Sequence, residues 1–258
     1  MNEQRNLNEQ QEALISARQA HVERQLPSLR RFDNYLWSGQ KATPRHEDVI
    51  VAWLYAWYES LLGEGDKPKP ILHLHGDNNT GKSHLAIGIA RFIGLNFHAF
   101  NHKGYICDVR RVRWVSYCKA LLKNGGDVTD IDEDVGVLII DDIDSFRPVP
   151  KSLSTYAIEE AVNVLKGRAE DAVLPIIITG NWAPSQLLKF FMTNSLGDSS
   201  SATEQAAKTL WSVIERNTFA QMRFAYHRGV RNTIKLRKKA ENENDMSVFL
   251  DKFPGARF

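Results

Sequence analysis

The segment from Gly76 to Ser83, GDNNTGKS, constrains this chain more than any other stretch, because it matches G-x-x-x-x-G-K-[ST] at every position. Backbone that curls until successive N–H groups point at one anion needs glycine at its tightest points, and Gly76 and Gly81 stand there. Lys82 then reaches the β- and γ-phosphates of ATP, and Ser83 is placed to hold Mg²⁺. The loop residues Asp77, Asn78, Asn79 and Thr80, with His84 just beyond, complete the set expected to face the nucleotide. The flanks agree with this reading. Ile71, Leu72 and Leu74 form a short apolar strand before the loop. After it, SHLAIGIARFIG sets Leu85, Ile89 and Phe92 on one helical face and stops at Gly94. The start of that helix adds its positive dipole to the phosphate site.

A second motif follows the loop by about sixty residues, in the order a phosphate-binding fold requires. Val137 to Asp142, VLIIDD, is four apolar residues and then two acids. A continuous apolar run is the signature of a central parallel strand buried on both faces, and acids at its carboxyl end sit where such sheets bind ligands. Asp141 is expected to orient Mg²⁺ through its water shell, as a Walker B acid does. Asp142 is expected to accept a proton from the attacking water or to position it. The apolar stretch Leu174–Thr179 runs into Gly180 and Asn181, whose amide is then placed to bond a γ-phosphate or the lytic water. Arg216, on a helix reading WSVIER, is by its residue type a solvated or salt-bridged arginine.

The remaining pattern predicts the scaffold. His46–Leu62 carries Val49, Ile50, Trp53, Leu54, Trp57 and Leu61 at helical spacing, a face to be buried. Arg111–Val115 reads as a second strand with a helix from Ser116, Tyr156–Lys166 as a helix stopped by Gly167, and Trp182–Phe191 as a further helix. Thr193–Ala202 reads as a loop and Glu204–Met222 as one helix. Before residue 30, Leu7, Leu14, Val22 and Leu26 are too sparse for a core-forming stripe, which predicts a solvated helical or flexible arm. From Trp211 to Lys239 eight Lys and Arg residues face the single acid Glu215, interleaved with Phe219, Phe224 and Tyr226. Cations with aromatics between them are what single-stranded nucleic acid needs, phosphate neutralisation together with base stacking.

Composition narrows the class. With 258 residues, 43% apolar and 25% charged, the chain suits one large α/β domain with appendages. A formal net charge of +2 leaves any nucleic-acid affinity to local clusters. Two cysteines, Cys107 and Cys118, without zinc-type spacing predict neither a disulfide framework nor a structural metal, and fit a reducing, cytoplasmic setting. A polar start and no apolar run near 18 residues exclude a signal peptide and a membrane span.

Taken in order, RFDNY (31–35), ILHLHGDNNTGKSHLA, VLIIDDID, IIITGN and SVIER resemble the AAA+ ATPases of the DnaC/IstB branch, helicase loaders and transposition helper ATPases. The resemblance spans about Phe32 to Arg216 and implies a three-layer α/β/α P-loop core with a parallel sheet. It divides the chain into an N-terminal helical or flexible arm (1–31), an AAA+ domain (32–222) and a basic C-terminal extension (223–258). It further implies that Phe32 and Tyr35 lie near the adenine, that Asn181 is sensor 1, and that Arg216 is a finger reaching into a neighbouring copy's site. The implied activity is ATP hydrolysis with Mg²⁺ by a homo-oligomer that loads or remodels a replicative helicase on single-stranded DNA. Alternatives in the same resemblance are a target-selection ATPase acting with a transposase on duplex DNA, and a nucleotide-gated DNA-binding module with little turnover. A small-molecule P-loop kinase would need an acceptor pocket and a lid arginine cluster, and the paired acids argue for water as acceptor instead. Three departures from the branch stand out: the N-terminal part is shorter than a helicase-binding domain, Asp142 occupies a position where glutamate is common, and no helical lid carrying a sensor 2 arginine is read, with Arg228 and Arg231 unassigned.

Overall fold

The computed structural model describes residues 46–97, 109–114, 116, 135–144, 151–171, 173–194, 201–225 and 252–253, with scattered positions between 12 and 26. Among the described residues five strands form one sheet: β1 (Ile71–Gly76), β2 (Val109–Arg113), β3 (Val137–Asp141), β4 (Ile176–Thr179) and β5 (Thr218–Phe224). Every pairing is parallel, and the order across the sheet is β2-β3-β4-β1-β5. Helices α1 (His46–Leu62), α2 (Lys82–Asn96), α3 (Lys151–Lys166), α4 (Pro184–Asn194) and α5 (Ser201–Asn217) connect and cover the strands.

Alternation along the strands divides the interior into two cores, one on each face. Leu72, Leu74, Val137, Ile139 and Ile177 pack with α1 and α2 through Trp53, Trp57, Leu85 and Phe92. Their neighbours Ile71, Leu138, Ile140, Ile176 and Ile178 point the other way, against Ile158, Leu165, Leu187, Leu210 and Ile214 of α3, α4 and α5. Two-sided burial is why β3 and β4 read as unbroken apolar runs. The result is the expected three-layer α/β/α arrangement, with the carboxyl ends of β1, β3 and β4 gathered at one edge.

Helix α1 has the limits the periodicity predicts, and Ile50, Trp53, Leu54 and Trp57 are buried along it. Several other expectations are corrected. The helix expected over Glu204–Met222 ends at Asn217, and Thr218–Phe224 is an edge strand beside β1. Its side chains alternate, with Thr218, Met222 and Phe224 inward and Phe219, Gln221 and Arg223 outward, a two-residue period that the preceding amphipathic helix obscures in the sequence. Phe224 is consequently buried and stacks on His46 at 4.5 Å, so it is not available to a nucleic-acid base. The second strand begins at Val109, two residues before the expected start. Gly167 does not stop the chain winding, because a π-helical turn over Gly167–Asp171 follows α3 directly.

The N-terminal positions also pack more closely than their sparse apolar content implies. Val22 and Leu26 are buried in the α1/α2 core, one helical turn apart, and a Cβ on Gly94 would lie 3.0 Å from Val22. Glu23 pairs with the buried Arg91 of α2 at 3.6 Å. Phe253 joins the same core, its ring edge-on to Phe92 and Tyr58. Tyr226, Arg237, Lys238 and Lys239 lie outside the described residues, as do Phe32 and Tyr35.

Candidate nucleotide-binding site

The loop between β1 and α2 has the geometry its glycines imply. Gly76 adopts φ 125° and Gly81 φ 88°, values that L side chains resist, and Asn79 shares the left-handed region at φ 60°. Gly76 also lies directly against β5: a Cβ there would sit 2.0 Å from the Phe224 carbonyl oxygen. That carbonyl accepts the Asp77 N–H at 2.8 Å, tying the loop to the edge strand. Thr80 Oγ1 donates to the Asp77 carbonyl at 2.8 Å and tightens the turn. Asn78 is exposed and His84 half-buried. Gly81 caps α2 without a side-chain bond, which leaves the first helical N–H groups directed at the loop's concavity.

Lys82 is buried and folds back over the loop, its Nζ donating to the Gly76 carbonyl at 3.0 Å and the Asp77 carbonyl at 2.6 Å. Asn181 Oδ1 is 3.5 Å from the same nitrogen, so the structure brings this sequence-predicted residue to the loop from the end of β4. Burial pushes the Lys82 ammonium below its usual range, opposed by the charges of Asp144, Asp142, Asp77 and Asp141. The four carboxylates keep the ammonium charged, and its desolvated donors can make charge-assisted hydrogen bonds to an anionic ligand.

Asp141 joins the two motifs. Its Oδ1 accepts from Ser83 Oγ at 2.7 Å and from Thr179 Oγ1 at 2.6 Å, and its Oδ2 accepts from Arg111 Nε at 3.0 Å and from the Arg111 Nη2. The carboxylate is fully buried. Burial alone would raise its pKa, but the Thr179 and Ser83 hydroxyls and the Arg111 guanidinium outweigh that and hold it below the usual carboxylate value. Asp142 behaves in the opposite way: burial and the adjacent Asp141 charge raise it. Its backbone is left-handed at φ 55°, and its N–H donates to Thr179 Oγ1 at 3.0 Å. A non-glycine residue held in that region at the end of a strand is the kind of strain found at functional sites.

Three contributors were not singled out from the sequence. Thr179, the last residue of β4, bridges Asp141 and the Asp142 amide. Asp144 accepts the Asn181 backbone N–H at 2.5 Å and the Trp182 N–H at 3.1 Å, holding the β4–α4 turn against the turn after β3. Burial raises its pKa, while the Asn181 and Trp182 amides lower it. Arg111 comes from β2, and only the strand order places it beside Asp141. The signals were present as the third acid of DDID and the arginines of VRRVR.

Arg216 is not brought to this site. It lies at the end of α5, largely exposed, and its Nη2 bonds Glu170 Oε1 at 2.9 Å. Because β5 runs parallel to β1, Thr218 pairs with Ile71 while Phe224 pairs with Gly76. The seven residues of β5 therefore place Arg216 about 20 Å from the phosphate loop of its own chain.

Ser83 and Asp141 offer hard oxygen donors 2.7 Å apart at the mouth of the loop, a set that fits Mg²⁺, which takes one or two protein ligands and fills its other positions with water and phosphate oxygens. Among the described residues no group of three or more His, Cys, Asp and Glu could hold a metal ion, which is compatible with that sparse ligation. Nor, among the described residues, is any helix long and apolar enough to cross a membrane.

No family model matches the sequence, and no curated protein matches it. Solved structures do. The replication initiator DnaA bound to AMPPCP and single-stranded DNA aligns with a TM-score of 0.50 at 14% identity, over 89% of this chain and 66% of that one. Domain III of the Thermotoga maritima replication initiation protein DnaA aligns with a TM-score of 0.50 at 15% identity, over 87% and 76%. The DnaC helicase loader aligns with a TM-score of 0.46 at 14% identity, over 78% and 98%. Sheet order and phosphate loop define a P-loop protein of the α/β/α kind. More narrowly, the chain shares the fold of the two DnaA structures.

Proposed function

We propose that this protein binds and hydrolyses ATP with Mg²⁺, assembles with copies of itself, and acts in DNA replication by loading or remodelling a replicative helicase on single-stranded DNA. The observation that carries the enzymatic part is the 2.7 Å bond between Ser83 and Asp141, which joins two motifs 58 residues apart at one point beside Lys82. The DnaA neighbour was solved with AMPPCP, a nucleotide analogue, and that supports nucleotide binding in the same fold. The helicase-loading part rests on the sequence resemblance, on the RFDNY lead-in and the TGN at the end of β4.

Each side chain has a role that its position supports. Lys82, desolvated and held by two backbone carbonyls, exchanges them for β- and γ-phosphate oxygens. Ser83 and Asp141 would hold Mg²⁺, which would supply neutralisation of the phosphate charge. Asp142, with its raised pKa, is the group to position the attacking water and take its proton. Asn181, oriented by Asp144, presents its amide to the same region. Arg216 serves the site of a neighbouring copy, since its own is out of reach.

Two substitutions test this. Lys82→Ala should weaken ATP binding, and Asp142→Asn should retain binding and abolish turnover. An Asp142→Asn protein that hydrolyses ATP at the parent rate would overturn the assignment of the base.

A further inference from the structure

Asp141 carries more donors than a nucleotide site needs at rest. Two neutral hydroxyls, Ser83 and Thr179, occupy Oδ1, and the Arg111 guanidinium takes Oδ2 through both Nε and Nη2. With four donors on two oxygens the carboxylate is saturated. It is also fully buried, and a buried carboxylate needs a compensating cation.

We infer that Arg111 is a resident counter-ion that holds Asp141 in the absence of metal and is displaced from it when Mg²⁺ enters with the nucleotide. The inference rests on the ATP-binding reading of the site and adds a competition to it. Ser83 and Thr179 are uncharged, so both can stay when a divalent cation arrives. Arg111 is charged, and two cations at one carboxylate repel each other strongly where water is scarce. It also has somewhere to go: its side chain keeps 18% exposure on the edge strand β2, whereas Asp141 keeps none. The same carboxylate thus passes from a monovalent protein cation to a divalent one, and metal entry releases a guanidinium at the rim of the sheet next to Arg113 and Asp142. Arg111 acts through Asp141 and is a positioning residue, not a catalytic one.

The test reads binding and not turnover. A fluorescent, non-hydrolysable ATP analogue is titrated with Mg²⁺ on the full chain, and the Mg²⁺ concentration giving half-maximal tight binding is compared among parent, Arg111→Gln and Arg111→Lys. Removing the competitor should lower that concentration by on the order of tenfold in Arg111→Gln. Arg111→Lys keeps the charge but loses the two-pronged grip, and should lower it by less. If Arg111→Gln does not fold, the lysine variant alone decides: a downward shift supports displacement. An unchanged or raised Mg²⁺ requirement in the folded variants overturns it and leaves Arg111 as a fixed support for the carboxylate. If the parent binds no analogue at any Mg²⁺ concentration, the nucleotide reading itself fails, a result distinct from normal binding with an unmoved Mg²⁺ midpoint.

Discussion

Replacing Gly76 by alanine tests the link between the phosphate loop and the edge of the sheet. The new methyl would lie 2.0 Å from the Phe224 carbonyl oxygen and 2.8 Å from the carbon and nitrogen of the same residue, all backbone atoms that no rotamer change can move. β1 and β5 must part by about 1 Å before that contact becomes tolerable. The backbone at φ 125° adds strain of roughly 1–3 kcal/mol once a Cβ is present. Parting the strands also stretches the bond from Asp77 N–H to Phe224 O, and an intramolecular hydrogen bond of this kind contributes about 0.5–1.5 kcal/mol. Alanine's smaller unfolded-state entropy returns about 0.4–1 kcal/mol. The net expectation is a destabilisation of about 1–4 kcal/mol, a sizeable share of the roughly 5–15 kcal/mol typical of a folded protein. Gly63 supplies the control, since it too has a positive φ, 76°, but a Cβ there meets nothing within 4 Å. Gly63→Ala should therefore cost only left-handed strain, about 1–2 kcal/mol. Urea unfolding followed by tryptophan fluorescence measures both, and binding of a fluorescent ATP analogue reports the loop. The reasoning is refuted if Gly76→Ala unfolds within about 1 kcal/mol of Gly63→Ala and binds nucleotide like the parent.

Three further outcomes are expected. His73, in the middle of β1, is buried with neither ring nitrogen hydrogen-bonded among the described residues, and burial, helped by His75, lowers its pKa to about 3. An unfolded chain takes up that proton near pH 6.5 and the folded one only near pH 3, so stability should fall by up to about 1.4 kcal/mol per pH unit as pH drops through this window. His73→Leu should flatten the acid side of the stability profile, and an unchanged slope would count against the assignment. Mixing Arg216→Ala with Lys82→Ala, each inactive alone, should restore part of the ATPase rate, because some interfaces then pair an intact loop with an intact finger; no recovery in complexes shown to exchange subunits speaks against action between copies. Reversing Arg237, Lys238 and Lys239 to Glu should weaken oligonucleotide binding and flatten its salt dependence, while Tyr226→Ala weakens binding with the slope kept; tight binding by the triple variant at low salt would move the DNA contact elsewhere.

What could be read from the sequence follows from which interactions are local. The loop between β1 and α2 was legible because its glycines answer to backbone angles that most side chains resist, and Gly76 and Gly81 both carry positive φ. β3 and β4 were legible because a strand buried on two faces must be apolar throughout. Lys82, Ser83, Asp141 and Asn181 could be placed together from motif order, and the structure bonds Ser83 to Asp141 and sets Asn181 beside Lys82. β5 was hidden because α5 runs into it without a break at Asn217 and Thr218, so the helical period masks the strand's alternation. Arg111, Thr179 and Asp144 were hidden for another reason: each acts across strands, and which strands are neighbours is not written in any one segment. Val22, Leu26 and Phe253 escaped because a few isolated apolar residues can complete a core that other elements have already built.

The strand order also bears on Arg216. A parallel edge strand must begin at the end of the sheet opposite the β1–α2 loop, and α5 enters β5 at that end, so the last turn of α5 is held away from that loop of its own chain whatever its side chains do. The partner Arg216 does have, Glu170, forms an exposed pair, and such pairs contribute about 0–1 kcal/mol. Stability therefore gives little reason for an arginine at this position. A large loss of turnover in Arg216→Ala without a matching loss of stability would be difficult to attribute to the fold of one chain. It would assign the side chain's function to a surface that only a second copy can complete.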